Sequence, residues 1–354
     1  MNEKAYNKKS LLSSGNFYFR MGDYKESLLF YNKILNECPD LKKIIDFNKK
    51  IATKKIIVKN EDNTQIKNIP SVIHDSSHVA KKKRIAVFAS YSYSEVVEEY
   101  VVYYLSELKK VVDDIIFIAD NFASEIEKEK ISHIVSYSEF SRHGEYDFGS
   151  YKRGLSYCQN YLALDKIDEI ILCNDSCYGP ISNFSDLFEK MSKEQCDFWG
   201  LTESTRYQTH LQSYFLCFRK KALNSAVFLD HFLDVVGESS VSDVILKYEV
   251  PLTEKLLMSG LKYKAYIDQN DPETQSFARI NPNLTIFPLF LISRGCPLIK
   301  VKTMNSDERN YDGVVSTSLR LKTLNPVLAN HILSHVDNTK RYGKRKILET
   351  RFVL

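Results

Sequence analysis

Short uninterrupted apolar runs alternate with amphipathic stretches through the middle of this chain. Residues 85–89, 115–119 and 170–173 are runs of the kind buried on both faces of a parallel sheet, and a shorter run, 133–137, predicts a further strand. Helical spacing over 95–108 and after Gly149 supplies the connections, so the pattern predicts an α/β sheet built from right-handed crossovers. Beyond Cys173 the order changes. Residues 196–201 and 210–218 read as strands joined only by a loop, and two helical segments, 221–236 and 241–259, follow, which makes the second half mixed rather than doubly wound.

The N-terminal part has a different rhythm. Leu11, Gly15, Tyr18, Gly22, Asp23, Tyr24, Ser27, Tyr31 and Pro39 fall at the spacing of a tetratricopeptide unit, and residues 41–57 carry an apolar stripe near the helical period. One such hairpin cannot bury its own face, so it is expected to dock on the main domain or to recruit a protein partner. The expected organisation is a helical hairpin plus third helix over 1–58, a linker over 59–83, the main domain over 84–303, and a helical, basic tail over 304–354. Lys81–Arg84 and the pair His74 and His78 read as solvated linker features.

Composition narrows the function. With 44% apolar residues a large core is assured, and 49 Lys and Arg against 45 Asp and Glu is too small a surplus for a dedicated nucleic-acid binder. Seven scattered cysteines form no CxxC pair, which argues for a reducing compartment. A cytoplasmic location is expected, with the tail residues Lys340, Arg341, Lys344, Arg345, Lys346 and Arg351 offering a peripheral contact to the inner face of the cell membrane.

Ligands of open α/β sheets gather at the carboxyl ends of strands. The polar residues there are Ser90-Tyr91, Asp120-Asn121, Asn174-Asp175-Ser176 and the stretch from Asp197 to Thr202. An apolar strand that stops at Asn174-Asp175-Ser176 delivers a carboxylate and neutral oxygens to the rim, which suits a hard divalent cation, Mg2+ or Mn2+, carrying a diphosphate; turn formation is the plainer use of the same residues. A glycine-bearing loop running into Ser150, Lys152 and Arg153 presents amides and cations to phosphate oxygens. The P-loop, GxGxxG, GxSxG and HExxH patterns are all absent.

Five blocks in order, Glu145-Tyr146-Asp147-Phe148-Gly149-Ser150-Tyr151-Lys152, Leu172-Cys173-Asn174-Asp175-Ser176-Cys177-Tyr178-Gly179-Pro180, Asp197-Phe198-Trp199-Gly200-Leu201-Thr202, His210-Leu211-Gln212-Ser213-Tyr214-Phe215 and Tyr248-Glu249-Val250-Pro251-Leu252-Thr253, make residues 84–300 resemble the rhamnan synthesis F family, glycosyltransferases of bacterial surface polysaccharide assembly. The resemblance implies a GT-A-like, Rossmann-type mixed sheet flanked by helices, a nucleotide-diphospho-sugar donor, of which dTDP-L-rhamnose is the one the family name suggests, and a lipid-linked or polysaccharide acceptor such as O-antigen or capsule. It also implies that Asn174 and Asp175 hold the metal. The usual DxD is altered, however, since Asn174 stands where a carboxylate is expected, and Lys152 and Arg153 are the alternative diphosphate ligands.

Ser90, Tyr91, Asp120, Asp147 and Ser150 complete the expected donor site. Asp147 is placed against base or ribose, with helix capping as its other use. For an inverting transfer the acceptor hydroxyl needs a base, for which Glu249 is the first candidate and Asp197 the second. Trp199 is either a sugar platform or a core aromatic. His210 and Gln212 share one strand face and would bond acceptor hydroxyls. The altered acidic motif keeps open a second function, a non-catalytic assembly subunit that recruits synthesis partners through its N-terminal hairpin.

Overall fold

The computed structural model describes residues 3–61 and 82–351. The pair His74 and His78 and the expected linker lie outside the described residues, apart from its ends. Three helices come first: α1 (Glu3–Arg20), α2 (Tyr24–Glu37) and α3 (Lys42–Glu61). There follow β1 (Arg84–Ser90), α4 (Glu99–Lys109), β2 (Asp114–Ala119), α5 (Glu125–Ser132), β3 (Tyr137–Phe140), α6 (Tyr146–Tyr161) and β4 (Glu169–Asn174), then β5 (Cys177–Tyr178), β6 (Phe198–Gly200), β7 (Glu203–Ser204), β8 (His210–Leu211), β9 (Phe215–Arg219), β10 (Tyr263–Ala265) and β11 (Ile299–Lys300).

The main sheet has the order β10-β6-β9-β4-β1-β2-β3, parallel except for β9, which runs antiparallel to both its neighbours. This is the mixed, helix-flanked sheet with a small all-α N-terminal unit that the sequence leads one to expect. The central strands are apolar between their end residues because both faces are covered. Ala86 and Phe88 of β1 enter one core cluster while Ile85, Val87 and Ala89 enter the other, and β4 divides in the same way. Gly154 of α6 lies so close to the sheet that a Cβ there would stand 2.3 Å from Val87 Cγ1. Any larger residue would push helix from strand.

Several expected boundaries move. The third parallel strand is Tyr137–Phe140, because Ile131 and Ile134 complete the buried side of α5 before the chain extends. The expected strand over 210–218 breaks at Gln212–Tyr214, whose amides turn toward Thr202 and Glu249. The segment 221–236 is two short helices, Lys220–Leu223 and Ala226–Leu233. Residues 241–258 run as one helical rod with a π-turn at Ile245–Glu249, a distortion frequent at functional sites.

The N-terminal unit docks on the main domain. Arg20 bonds Glu238 at 2.7 Å, Tyr24 donates to Asp234 at 3.1 Å, and Val236 joins the apolar cluster of α1–α3. At the other end, Leu321, Leu328, Ala329, Ile332 and Val336 lie in the same cluster as the sheet, so the described part of the C-terminal segment packs as part of the main body.

Candidate active site

The carboxyl ends of β1 and β4 open into a cleft beside a smaller recess. Tyr91, Tyr100, Asp175 and His335 line both, so Asp175 stands at the lip between the two. Its Oδ2 accepts from Ser90 Oγ and from the Tyr91 amide, each at 2.7 Å. These two donors hold the carboxylate at the rim. Burial and the neighbouring charge of Asp147 nevertheless push the Asp175 pKa up to about 7.

Asn174 has a different use from the one its position suggests. Its Oδ1 accepts from the Ser176 amide at 3.2 Å, and since a backbone N–H can only donate, the side-chain Nδ2 is turned toward Asp147 Oδ2, 2.7 Å away. The amide of Asn174 is thus spent on its neighbours, and the second carboxylate of the site comes from the first turn of α6. Asp147 is raised to about 6 by burial, with Lys300 pulling the other way and Glu249 adding to the rise. Lys300 reaches in from β11, donates to Ser176 Oγ at 2.8 Å and lies 4.3 Å from the Tyr214 ring.

Asp147 and Asp175 are the residues that could hold a divalent cation. Asp147 and Asp175 each engage one oxygen in the hydrogen bonds above, and a pair of half-engaged carboxylates is the protein share of sites in which substrate phosphates and water complete the coordination of Mg2+. Among the described residues no group of three or more His, Cys, Asp or Glu gathers to hold a metal without such help.

In the same cleft, Glu249 at the end of the π-turn accepts from the Ser213 amide at 2.9 Å and from the Ser213 hydroxyl, and its Oε1 lies 3.7 Å from His210 Nε2. Burial alone would raise this carboxyl, but the bonds from His210 and Ser213 outweigh it and hold Glu249 below the ordinary range. His210 is correspondingly raised, because contact with Glu249 overcomes its own burial. Gln212 accepts from Thr202 Oγ1 at 2.8 Å and donates to Asn283 at 3.2 Å. Glu249, His210 and Gln212 therefore line the same cleft as Asp147 and Asp175.

Other expected site residues lie elsewhere. Lys152 and Arg153 are buried beneath α3 rather than at the rim: Lys152 bonds Asn48 Oδ1 at 2.6 Å and the Val235 carbonyl at 2.5 Å, and Arg153 grips Glu145 at 2.5 Å. The reason is the helix start. Because α6 begins at Tyr146, Ser150, Lys152 and Arg153 sit inside the helix instead of at its open end, and Ser150 pairs with His143 at 3.0 Å. Asp120 is committed to the amides of His143 and Gly144, at 2.6 and 2.8 Å, and so shapes the loop before α6. Asp197 lies at the entering end of β6, on the opposite rim, held by Lys221 and the Lys262 amide. Trp199 is 1% exposed and packs edge-on against Phe188 at 5.5 Å, a core aromatic.

Lys300 and His335 escaped the sequence reading. His335 Nδ1 meets the Tyr178 hydroxyl at 2.6 Å and its ring lies 4.7 Å from Tyr100, whose hydroxyl donates to the Asp175 carbonyl at 2.8 Å.

Comparison with known proteins adds the following. The family model described as rhamnan synthesis protein F matches residues 115–352. Virulence protein VirA of Vibrio anguillarum is 29% identical over 192 residues, 47% of this chain and 61% of that protein, so the chain spans about six-tenths of the length of this curated relative. An uncharacterized protein, y4gN of Sinorhizobium fredii, is 28% identical over 123 residues, 32% of this chain and 30% of the other. Among solved structures, core-mannan synthase A from Aspergillus fumigatus in its Mn/GDP form aligns with a TM-score of 0.31 at 12% identity, over 54% of this chain and 74% of that one. The mannosyltransferase Ktr4p from S. cerevisiae aligns with a TM-score of 0.32 at 11% identity, over 61% and 80%.

Proposed function

The chain belongs to the rhamnan synthesis protein F family, and from that premise we propose that it is a glycosyltransferase of surface-polysaccharide assembly that moves a sugar from a nucleotide-diphospho-sugar to a growing glycan. The observation that carries the reading is the convergence of Asp147 and Asp175 at the strand-end rim, in one cleft with Glu249, His210 and Gln212. The two aspartates suit a metal-bound diphosphate, and the other three residues suit sugar hydroxyls.

Asp147 and Asp175 would hold a divalent cation, which supplies positive charge to the diphosphate as it departs. Lys300, next to Ser176, adds a second positive charge at the same place. Gln212 and His210 orient the acceptor. In an inverting transfer the acceptor oxygen attacks the anomeric carbon, its proton passes to Glu249, and the bond from that carbon to the diphosphate oxygen breaks. The hydrogen bonds that keep Glu249 ionised also keep it ready to receive the proton. A deoxyhexose such as rhamnose is the donor sugar in this reading.

Thermal melting of the full chain with a panel of nucleotide-sugars, with and without manganese, tests it, because a ligand bound by the folded state raises stability. A rise with one donor, enhanced by manganese, is expected. No response to any member would instead favour an assembly subunit without catalysis.

A further inference from the structure

Away from the cleft, exposed apolar side chains are concentrated on one short stretch. Of 23 large hydrophobic side chains exposed among the described residues, six fall within residues 311–333: Tyr311, Val315, Leu319, Leu324, Val327 and Leu333. The helix Val314–Leu324 turns Thr317 and Leu321 into the core, and its opposite face presents Val315, 73% exposed, and Leu319, 62% exposed. Four residues apart, these two stand one above the other. Lys322 and Leu333 line one small recess between this helix and Pro326–Arg351, so the two helices adjoin there.

The charge of the stretch is one-sided. From Gly313 to Val336 there is no Asp or Glu, while Arg320 and Lys322 flank the apolar face. The sequence of the same helix continues through Lys340, Arg341, Lys344, Arg345, Lys346 and Arg351, with Glu349 as the acidic residue among them. Outward apolar residues beside a stretch in which cations outnumber carboxylates, Asp337 and Glu349 being the acidic residues from Gly313 to Arg351, match the boundary between acyl chains and anionic headgroups. No described helix is long and apolar enough to cross a membrane, so the match is to lying on the surface.

We infer that the surface presented by Val315, Leu319 and Lys322 of the first helix and Leu333 of the second docks on an anionic lipid bilayer. The second of its helices also carries His335 into the cleft, so docking brings the cleft beside the lipid surface. The inference goes beyond the glycosyltransferase reading and does not depend on it.

Co-sedimentation of the full chain with vesicles tests it, comparing phosphatidylcholine alone with mixtures containing phosphatidylglycerol. Binding is expected for the anionic vesicles and falls with added salt. The double variant Val315→Glu with Leu319→Glu weakens it by roughly tenfold or more, and Arg320→Glu with Lys322→Glu does likewise, while melting temperature and nucleotide response stay at wild-type values. Absence of wild-type binding to anionic vesicles, or full binding by both variants, overturns the inference. So does a wild-type dimer that either variant converts to monomer without any vesicle binding, since a second copy would then be the occupant.

Discussion

Replacing Glu145 by Gln should unlock the N-terminal unit. Glu145 is 1% exposed and accepts from Asn48 Nδ2 at 3.2 Å, Lys152 Nζ at 3.3 Å and Arg153 Nη1 at 2.5 Å. Burial would raise its pKa, yet Lys152 and Arg153 draw it down to about 2. Lys152 is itself depressed to about 8 by burial, against the pull of Glu145. The variant therefore leaves two buried cations without their shared anion, and breaking a buried pair in this way costs about 3–5 kcal/mol. That is a large share of a typical folding free energy. Urea denaturation of the full chain should show a clearly lower midpoint, and limited proteolysis should cut α1–α3 before the sheet, because the buried ion cluster under α3 loses its anion. An unchanged midpoint with loss of transfer alone would refute the reasoning and return Lys152 and Arg153 to the donor site.

Three further outcomes follow from the same geometry. His231 is buried, bonds the Tyr248 carbonyl at 2.9 Å, and is lowered from 6.5 to about 3 by burial and Lys255; the unfolded chain thus binds the extra proton first, and stability falls by about 1.4 kcal/mol per pH unit as pH drops below 6.5, a slope that His231→Phe should reduce in chemical denaturation across pH. Gly154→Ala should cost about 1–3 kcal/mol, read as a lower melting temperature, because the added methyl meets Val87; an unchanged melt would mean that α6 can move off the sheet freely. Glu249→Gln should abolish sugar transfer in a radiolabelled-donor assay while keeping the donor's thermal shift, and full turnover would remove it as the base.

What the sequence could reveal depended on the range of the signal. The position of Asn174 and Asp175 at the sheet rim was legible because an apolar strand ending in polar residues is a local pattern, whereas the two-residue period read for His210 and Gln212 does not hold, since β8 ends at Leu211. Gly149 misled for the same local reason. Glycine next to Ser150 reads as a loop, but here it lies within α6, where a Cβ would come within 2.2 Å of the Glu145 Cβ, and this shift of the helix start buries Lys152 and Arg153. Trp199 lies on a strand covered on both faces, which no two-residue alternation betrays. Lys300 enters the site because β11 pairs with β5 from far along the chain, and His335 because a helix expected in a tail packs against α4. Neither contact leaves a trace in local spacing.

A crystal structure of the chain with manganese and dTDP or UDP is the most direct measurement. The account predicts metal density between the Asp147 and Asp175 carboxylates, with the diphosphate beside Lys300. Nucleotide bound at Lys152 and Arg153, or metal ligated by Asn174 in place of Asp147, would contradict it.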